Sequence, residues 1–367
     1  MKIYNYPVLN NFLDLSSVED DSGNYANELA CLDGFLMASI NEDVGTGDIT
    51  TIACVPETAV SKGIFIAKEP GVISGLGLLS RIFKLLDETV CVTPLVCDGD
   101  SVITGEIIAE ISGPSRAILT GERTALNLLQ HMSGIATKTA EAVREVSGTK
   151  TKILDTRKTT PGLRALDKYA VKCGGGTNHR FNLTDGVLIK DNHIKASGGI
   201  ANAVKKVRES QITSKHKTIS DNRISPIYNT ISESQISPSH NTNSKSQISP
   251  THYTNSQKLD SYDEMSGKEH HIEAGKKLQI EVETETIEQV KEALAAGADI
   301  IMLDNMTPEL MTEAVKIING QALTEASGNM GERDLKAIAE TGVDFISIGA
   351  LTHSIKAMDI SLLFLDS

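Results

Sequence analysis

The sequence lacks the features of a membrane protein, a secreted protein, or a small protein stabilised by zinc or disulfides. None of its apolar runs approaches the roughly 20 residues that a membrane-spanning helix needs. The first residues contain no continuous apolar segment behind a basic start, so we expect no secretory signal. The 5 cysteines are scattered without a Cys-x-x-Cys pair, which argues against a zinc site and a disulfide framework. These absences favour a cytoplasmic protein with reduced thiols.

The chain of 367 residues also has no excess of positive charge. Its formal net charge is −13, which disfavours general affinity for nucleic acid. An anionic ligand would therefore have to be attracted by a local cluster of cations. Residues 155–195 contain such a cluster, with eight Lys or Arg against four Asp, a local charge of +4. Charge-assisted hydrogen bonds from Arg and Lys are the strong contacts that proteins make with carboxylates and phosphates.

Predicted strands and helices alternate from about residue 150 onwards. The predicted helices include 287–296 and 308–318. Such alternation with short connections is typical of parallel strands in an α/β barrel or an open sheet. The predicted strands are 152–154, 186–190, 278–283, 299–303, 322–326 and 345–348.

The part of the chain before residue 150 has a different pattern. Residues 1 to about 25 are polar and without periodicity, which indicates a loose tail. A helical pattern begins at about Asn27, and short β-rich runs at 63–67 and 106–111 indicate a small mixed domain. A long helix is then predicted over 117–146.

Residues 210–270 interrupt the alternation of strands and helices. They are rich in Ser, Thr, Asn and Gln and carry a 12-residue repeat, seen at Gln211, Gln235 and Gln247. One Ile per repeat cannot supply the buried face that a solenoid needs, so we predict a disordered, low-complexity insertion. It follows a helix and precedes a strand, a position that lies opposite the active site in an α/β barrel.

Three short segments within the cationic cluster carry candidate ligand-binding residues. Arg157 and Lys158 directly follow the predicted strand 152–154, and three glycines precede His179 and Arg180. Lys190 ends the next predicted strand. Its ammonium could bind an anion, act as a Schiff-base nucleophile, or form a structural salt bridge.

Carboxylates and small residues end the later strands. Glu281 and Glu283 share one face of their strand, and Asp304 ends the next strand. Such carboxylates suit Mg²⁺, ribose hydroxyls or nearby cations. The small-residue segments 325–329 and 347–353 follow the last two strands, where barrels of this kind often bind a phosphate.

Nine runs of residues, in this order along the chain, resemble the motifs of the quinolinate phosphoribosyltransferase family of type II phosphoribosyltransferases. They are spread over residues 27–209 and 275–365, and several long motifs in register are more specific than any one of them. The runs are 41–51, 122–127, 155–159, 178–180, 190–193, 281–283, 303–305, 327–329 and 349–353.

The resemblance implies a fold, an activity and a dimer. The implied fold is an α/β class with an incomplete α/β barrel (135–353) and a smaller α/β-sandwich N-terminal domain (26–134), on which 354–367 packs. The implied reaction transfers the phosphoribosyl group of phosphoribosyl pyrophosphate to quinolinate with decarboxylation, in NAD biosynthesis, with Mg²⁺ as cofactor. The implied assembly is a homodimer or a higher oligomer in which Arg123 reaches the partner's site, although spacing alone makes Arg123 an ordinary helix-surface cation.

The resemblance also implies a role for individual residues. Those implied to hold the two carboxylates of quinolinate are Arg123, Arg157, His179, Arg180 and Lys190. Those implied to bind the ribose, the pyrophosphate and Mg²⁺ are Lys158, Thr159, Glu283 and Asp304, the last two holding the metal directly or through water. Those implied to cradle the 5-phosphate are Ser327, Gly328, Asn329, Gly349 and His353. The implied catalytic residues are Lys158, Lys190, Glu283 and Asp304.

Three other functions compete with this hypothesis. A Schiff-base lyase could use Lys190, but it has little need for so many convergent cations. A non-catalytic anion-binding protein would not need Lys158, Glu283 and Asp304 together. A related phosphoribosyltransferase could act on another ring, although Arg157, Arg180 and Lys190 together suit a dicarboxylate.

Overall fold

The computed structural model describes residues 24–213 and 278–365. The predicted tail and the predicted insertion therefore lie almost entirely outside the described residues. The chain divides into a large unit, described over 24–207 and 278–365, and a second unit, Arg208–Lys277, which is described only as far as Thr213. The account below concerns the large unit.

The N-terminal part of the large unit contains a four-stranded antiparallel sheet. Its strands are β1 (Val60–Ala67), β3 (Cys91–Pro94), β5 (Ile107–Pro114) and β12 (Ile360–Phe364), in the order β12-β1-β5-β3. The strand nearest the C-terminus thus pairs with the first strand of the domain. Two short strands, β2 (Gly71–Val72) and β4 (Ser101–Val102), pair separately. The helices of this part are α1 (Asn24–Val44), α2 (Ile49–Cys54), α3 (Leu76–Leu86) and α4 (Ser115–Glu145).

Apolar periodicity explains why this sheet and its helices pack together. Along the second half of β1 every second residue is buried, including Phe65, as expected of a strand with one covered face. On α3 the buried residues include Leu79 and Phe83, four positions apart and therefore on one side of the helix. The rings of Phe65 and Phe83 lie 6.4 Å apart between centroids. Sheet and helix are thus joined in one apolar core.

α4 is a single helix of 31 residues that continues through Gly134. The predicted domain boundary near residue 134 therefore falls inside a helix. The segment that contains Lys356 crosses α4 closely at Gly134. A Cβ atom at this position would lie 2.2 Å from the carbonyl oxygen of Lys356. The glycine is thus needed for the close approach of the segment that leads to β12.

The rest of the large unit is built on a six-stranded parallel sheet. Its strands lie in the order β6-β11-β10-β9-β8-β7. The two edge strands are not paired with each other, and Leu154 of β6 forms a single parallel bridge with Thr177. The prediction of an incomplete α/β barrel is confirmed. The strands are β6 (Lys152–Leu154), β7 (Val187–Ile189), β8 (Ile280–Thr284), β9 (Ile300–Asp304), β10 (Leu323–Ser327) and β11 (Phe345–Ser347).

The helices of the barrel begin and end where local chemistry predicts. Thr286 and Gln289 form a capping box at the start of α8, and Thr307 caps α9, which starts with Pro308. Asn319 ends α9 in the left-handed conformation, with φ 45°. The barrel helices are α5 (Arg164–Cys173), α6 (Asp191–Ser197), α7 (Ile200–Thr213), α8 (Ile287–Ala295), α9 (Pro308–Ile318), α10 (Leu335–Glu340) and α11 (Ala350–His353).

The two faces of the parallel sheet differ in chemistry. Apolar residues such as Val282, Leu303 and Ala326 are buried in a cluster with the helices. The alternate residues line a cavity and are mostly polar. These are Glu283 on β8, Met302 and Asp304 on β9, Glu325 and Ser327 on β10, and Ser347 on β11. The period of two therefore places an apolar core on one face and the cavity on the other.

We predict opposite effects of two Gly→Ala substitutions on stability. Gly134→Ala should lower the free energy of unfolding by about 1–3 kcal/mol, because the new methyl group would meet a backbone carbonyl that cannot move alone. Gly34→Ala is the matched control in α1, where a Cβ would meet nothing within 4 Å. It should raise the free energy of unfolding by about 0.5–1 kcal/mol, since Ala favours helix. Urea unfolding of both variants would test this, and equal effects would contradict it.

Candidate active site

The polar face of the parallel sheet opens into a cavity of about 750 Å³. The cavity lies at the carboxyl ends of the strands, where Asp304 ends β9, Ser327 ends β10, and Lys190 follows β7. Binding sites in α/β folds lie at this end. Basic side chains, carboxylates and small residues line it together, and the basic side chains are Lys138, Arg157, Lys158, His179, Arg180, Lys190 and His353.

A pair of carboxylates faces a lysine on one side of the cavity. The Nζ of Lys190 lies 2.7 Å from Oε2 of Glu283. Partial burial and the charge of Glu283 raise the pKa of Asp304. Asn305, which has a positive φ of 54°, donates from its amide to Asp304 at 2.7 Å. Of the three roles predicted for Lys190, the structure shows the salt bridge, which it forms with Glu283.

The segment after β6 presents two cations to the cavity. The backbone N–H of Lys158 donates to the hydroxyl of Thr156 at 3.0 Å, and the hydroxyl of Thr352 donates to the Lys158 carbonyl at 2.8 Å. These bonds fix the backbone that carries Arg157 and Lys158. The Nε of Arg157 is buried and has no hydrogen-bond partner among the described residues. A buried donor without a partner is expected to meet a ligand.

Small residues after β10 and β11 keep part of the cavity open. Gly328 has a φ of +94°, and a Cβ atom there would lie 2.1 Å from Oδ1 of Asn305. A Cβ at Gly349 would lie 3.0 Å from the side chain of Lys158. Ser327, Asn329 and these two glycines line the cavity. They leave space for a ligand group close to the backbone.

A buried ion pair lies beneath the cationic side of the cavity. Lys168 and Asp155 are both fully buried, and the Lys168 Nζ lies 2.6 Å from Oδ1 of Asp155. Lys168 also donates to the carbonyl of His179 at 2.9 Å, and the His179 N–H donates to Asp155 at 2.7 Å. Burial raises the pKa of Asp155 to about 6, although Lys168 opposes the shift. This pair ties β6 and α5 to the segment that carries His179.

His179 occupies the floor of the cavity, where two glutamates contact it. Its Nε2 lies 3.1 Å from Oε2 of Glu281 and 3.5 Å from Oε2 of Glu325. Burial lowers the pKa of His179, but the charges of Glu281 and Glu325 outweigh burial and raise it. The backbone N–H of Arg180, however, donates to Nδ1 at 2.7 Å. A hydrogen added to Nδ1 would collide with this N–H. The hydrogen-bond geometry therefore selects the neutral ring with its hydrogen on Nε2.

The structure brings most of the predicted site residues together. All of them line the cavity except Arg123 and Thr159. Arg123 lies exposed on α4 and away from the cavity of its own chain. The Thr159 hydroxyl accepts a hydrogen bond from Arg164 at 3.1 Å, and its role at the substrate stays a prediction.

The three consecutive glycines, Gly174, Gly175 and Gly176, pack against α4 and precede His179 and Arg180. None of them lines the cavity. A Cβ at Gly174 would lie 2.4 Å from the carbonyl oxygen of Ala136, and a Cβ at Gly176 would lie 2.7 Å from the Thr139 side chain. The glycines therefore allow close packing against α4. They position His179 and Arg180 indirectly and do not approach a ligand.

The sequence gives no signal for Lys138. Its Nζ donates to the carbonyl of Ser354 at 2.9 Å, which holds the ammonium at the rim of the cavity. In the sequence it is one lysine among the exposed residues of a long helix. The contacts of Glu281 and Glu325 with His179 are likewise visible only in three dimensions.

The fold and the site together define the class of the protein, an α/β barrel with a cation-lined cavity at the carboxyl ends of its strands. A family model described as the quinolinate phosphoribosyl transferase N-terminal domain matches residues 48–133. The model of the C-terminal domain matches residues 135–220 and 263–363. The chain belongs to the quinolinate phosphoribosyltransferase family.

Individual relatives agree with this assignment. The chain is 41% identical over 321 residues to a Bacillus subtilis protein named probable nicotinate-nucleotide pyrophosphorylase (carboxylating), covering 88% of this chain and 89% of that protein. It is 38% identical over 350 residues to the chloroplastic Arabidopsis thaliana protein of the same activity name, covering 90% and 82%. The solved structure of nicotinate-nucleotide pyrophosphorylase from Francisella tularensis has a TM-score of 0.71 at 36% identity, covering 92% of this chain and 96% of that one.

No helix among the described residues is long and apolar enough to span a membrane.

We predict strong energetic coupling between Lys168 and Asp155. Lys168→Met and Asp155→Asn should each lower the free energy of unfolding by about 3 kcal/mol, because each leaves a buried partner unpaired. The double variant should lose less than the sum of the two. Urea unfolding at pH 7 measures this cycle.

The same cycle has a predicted dependence on pH. The pKa of Asp155, about 6 in the folded protein, lies above its ordinary value of 3.8, so the folded state binds this proton more tightly than the unfolded state. Lowering the pH from 7 to 5 should therefore reduce the loss in the free energy of unfolding that Lys168→Met causes relative to the wild type, since Asp155 becomes neutral. Lys150→Met, which breaks an exposed pair with Asp344, is the control and should show little change. A deficit of Lys168→Met that is constant over this range would contradict the assignment.

Proposed function

We propose that this protein transfers the phosphoribosyl group of phosphoribosyl pyrophosphate to the ring nitrogen of quinolinate, with loss of CO₂. The products are nicotinate mononucleotide and pyrophosphate, a step of de novo NAD biosynthesis. The observation that carries the proposal is the convergence of Arg157, Arg180 and Lys190 in one cavity that also holds a carboxylate pair. Relatives named for this activity support it, since the chain aligns with 89% and 82% of their lengths.

The cationic side of the cavity suits the two adjacent carboxylates of quinolinate. Arg157 supplies a buried Nε without a partner among the described residues. Arg180 is 6% exposed, and its Nη1 donates to the carbonyl of Gly186 at 3.0 Å, so the guanidinium is held in one place. A fixed guanidinium can engage a carboxylate through two parallel hydrogen bonds. Lys190, directly after β7, adds a third cation to the cavity.

The side lined by small residues suits phosphoribosyl pyrophosphate. Ser327, Gly328, Asn329 and Gly349 would bind the 5-phosphate through hydroxyl, amide and backbone N–H groups, with His353 beside them. Lys158 lies next to Gly349 and would face the pyrophosphate. The two substrates would thus meet above Glu283 and Asp304.

The residues present fit Mg²⁺ as the cofactor. Glu283 and Asp304 offer oxygen ligands on adjacent strands, and the charge of Glu283 contributes to the raised pKa of Asp304. A cation would relieve this repulsion, and Mg²⁺ prefers carboxylate oxygens together with waters and substrate phosphates. When bound, it would neutralise part of the charge of the departing pyrophosphate.

The reaction needs positioning and charge stabilisation and no covalent protein intermediate. The pyridine nitrogen forms a bond to the anomeric carbon while the bond from that carbon to pyrophosphate breaks. Glu283 and Asp304 would stabilise the positive charge that develops on the ribose, and Lys158 the negative charge of pyrophosphate. The electron pair of the C–CO₂ bond next to the ring nitrogen then stays on the ring carbon, where the positive charge of the nitrogen stabilises it. CO₂ leaves, and the ring carbon takes up a proton.

The position of Arg123 favours a homodimer. Arg123 is exposed on α4 and does not reach the cavity of its own chain. We infer that it enters the cavity of a second copy and contacts a quinolinate carboxylate there. Closed two-fold assemblies are the commonest way in which identical chains complete each other's sites. The expected cytoplasmic location stays a prediction.

We predict that the protein uses quinolinate in preference to nicotinate. With Mg²⁺ and phosphoribosyl pyrophosphate it should form nicotinate mononucleotide and CO₂ from quinolinate, and omission of Mg²⁺ should abolish turnover. Arg157→Ala should lower kcat/KM for quinolinate by at least about 100-fold, since a charge-assisted contact is lost. Lys195→Ala is the matched control, because Lys195 belongs to the same cationic segment but pairs with Asp191 at the surface. Equal use of nicotinate, or binding of quinolinate without product, would overturn the proposal.

We predict that two inactive variants restore activity when their subunits are mixed. Arg123→Ala removes the residue given to the partner, and Arg157→Ala removes a residue of the subunit's own cavity. In a mixed dimer one of the two cavities retains both arginines, so random exchange should restore about one quarter of the wild-type rate. Activity after mixed denaturation and refolding, with each variant refolded alone as control, measures this. No recovery in mixed dimers would contradict the shared site.

A further inference from the structure

Every polar group of His179 is held by the protein itself. Its backbone N–H donates to Asp155 at 2.7 Å, and its carbonyl accepts from Lys168 at 2.9 Å. Its Nδ1 accepts the Arg180 N–H at 2.7 Å, and its Nε2 lies 3.1 Å from Glu281. The ring is 6% exposed although it borders the cavity. Neither ring nitrogen is therefore available to a substrate carboxylate without loss of an internal contact.

The same geometry argues against a metal ion at this cluster. His179, Glu281 and Glu325 bring three ligand atoms within 4.8 Å of one another, a spacing that could hold a cation. A neutral imidazole that binds a metal through Nε2 must carry its hydrogen on Nδ1. Nδ1 instead accepts the Arg180 N–H, so the hydrogen is on Nε2 and points toward the carboxylates.

The two glutamates are buried for a reason that the reaction alone does not explain. Glu281 and Glu325 are each about 2% exposed in their side chains, and Oε1 of each has no hydrogen-bond partner among the described residues. Buried carboxylate oxygens without partners are costly, so they require a compensating role. Among the described residues, His179 is the one basic side chain within ion-pair distance of either carboxylate.

We propose that Glu281 and Glu325 are positioning residues for substrate binding. Their carboxylates accept the Nε2 hydrogen of His179. The Nδ1 of His179 in turn accepts the backbone N–H of Arg180. The chain of contacts fixes the place where the Arg180 guanidinium meets the substrate carboxylate. His179 then acts through Arg180 and not as a ligand of the substrate. This inference rests on the proposed function, because it assigns Arg180 to a quinolinate carboxylate.

The tautomer of His179 is a direct test on the wild-type protein. With ¹⁵N-labelled histidine, long-range ¹H–¹⁵N spectra distinguish a ring protonated on Nε2 from one protonated on Nδ1 or on both. The expected result is a neutral ring with hydrogen on Nε2, unchanged when quinolinate is added. Assignment uses the resonance that disappears in His179→Asn. An imidazolium, an Nδ1–H tautomer, or a change of tautomer on addition of quinolinate would overturn the inference.

Kinetics of Glu281 variants separate positioning from a merely structural role. Glu281→Leu removes the acceptor at similar volume and should raise KM for quinolinate about tenfold, as loss of supporting contacts commonly does. KM for phosphoribosyl pyrophosphate and kcat should change little. Glu281→Gln keeps an acceptor oxygen and should restore most of the quinolinate affinity. Glu288→Gln, on the exposed side of α8, is the control and should behave as the wild type.

The outcomes distinguish this inference from the proposed function. Equal changes in both KM values and in kcat, or failure of Glu281→Gln to recover quinolinate affinity, would overturn the positioning role. If Glu281→Leu does not fold, the histidine spectrum of the wild type and of Glu325→Gln still tests the inference. Both proteins should show His179 as a neutral ring with its hydrogen on Nε2. Absence of product from quinolinate with the wild-type protein would instead refute the proposed function, and the spectrum would still report the His179 contacts.

Discussion

The buried pair between Lys168 and Asp155 is the interaction on which the rest of the site depends. Both charges are removed from water, which is tolerable only because they lie 2.6 Å apart and share further hydrogen bonds with the backbone of His179. The pair joins the end of β6, the middle of α5 and the segment that carries Arg180. The cations of the cavity therefore rest on a rigid base, which limits the entropy lost when an anionic ligand binds.

The same arrangement explains how an acidic protein can bind polyanions. The net charge of −13 belongs to the chain as a whole, whereas cations from four separate regions converge on one cavity. They come from α4, from the segment after β6, from the segment before β7 and from the start of α6. In a partly enclosed space such charges are screened less than at the surface, so their local effect outweighs the general field.

Several elements of the fold could be read from the sequence because they depend on local patterns. The six barrel strands lie within about two residues of the predicted positions, since each is a short run rich in apolar or β-branched residues. The caps of α8 and α9 follow from Thr286, Thr307 and Pro308. The contacts of Thr159 and of the run of glycines could not be read in this way, because a hydroxyl or a glycine near a cation can serve the protein's own packing as well as a ligand.

The sequence by itself determined the family, the parallel barrel and the set of polar residues at the strand ends, because motif order and hydrophobic period are properties of neighbouring positions. Only the tertiary structure decided which of those residues meet. Glu281 and Glu283 share a strand face, yet one contacts His179 beneath the floor and the other faces Lys190 in the cavity. Lys138 joins the rim only because residues 354–359 cross α4. Such contacts depend on packing between elements far apart in the chain, which no local pattern records.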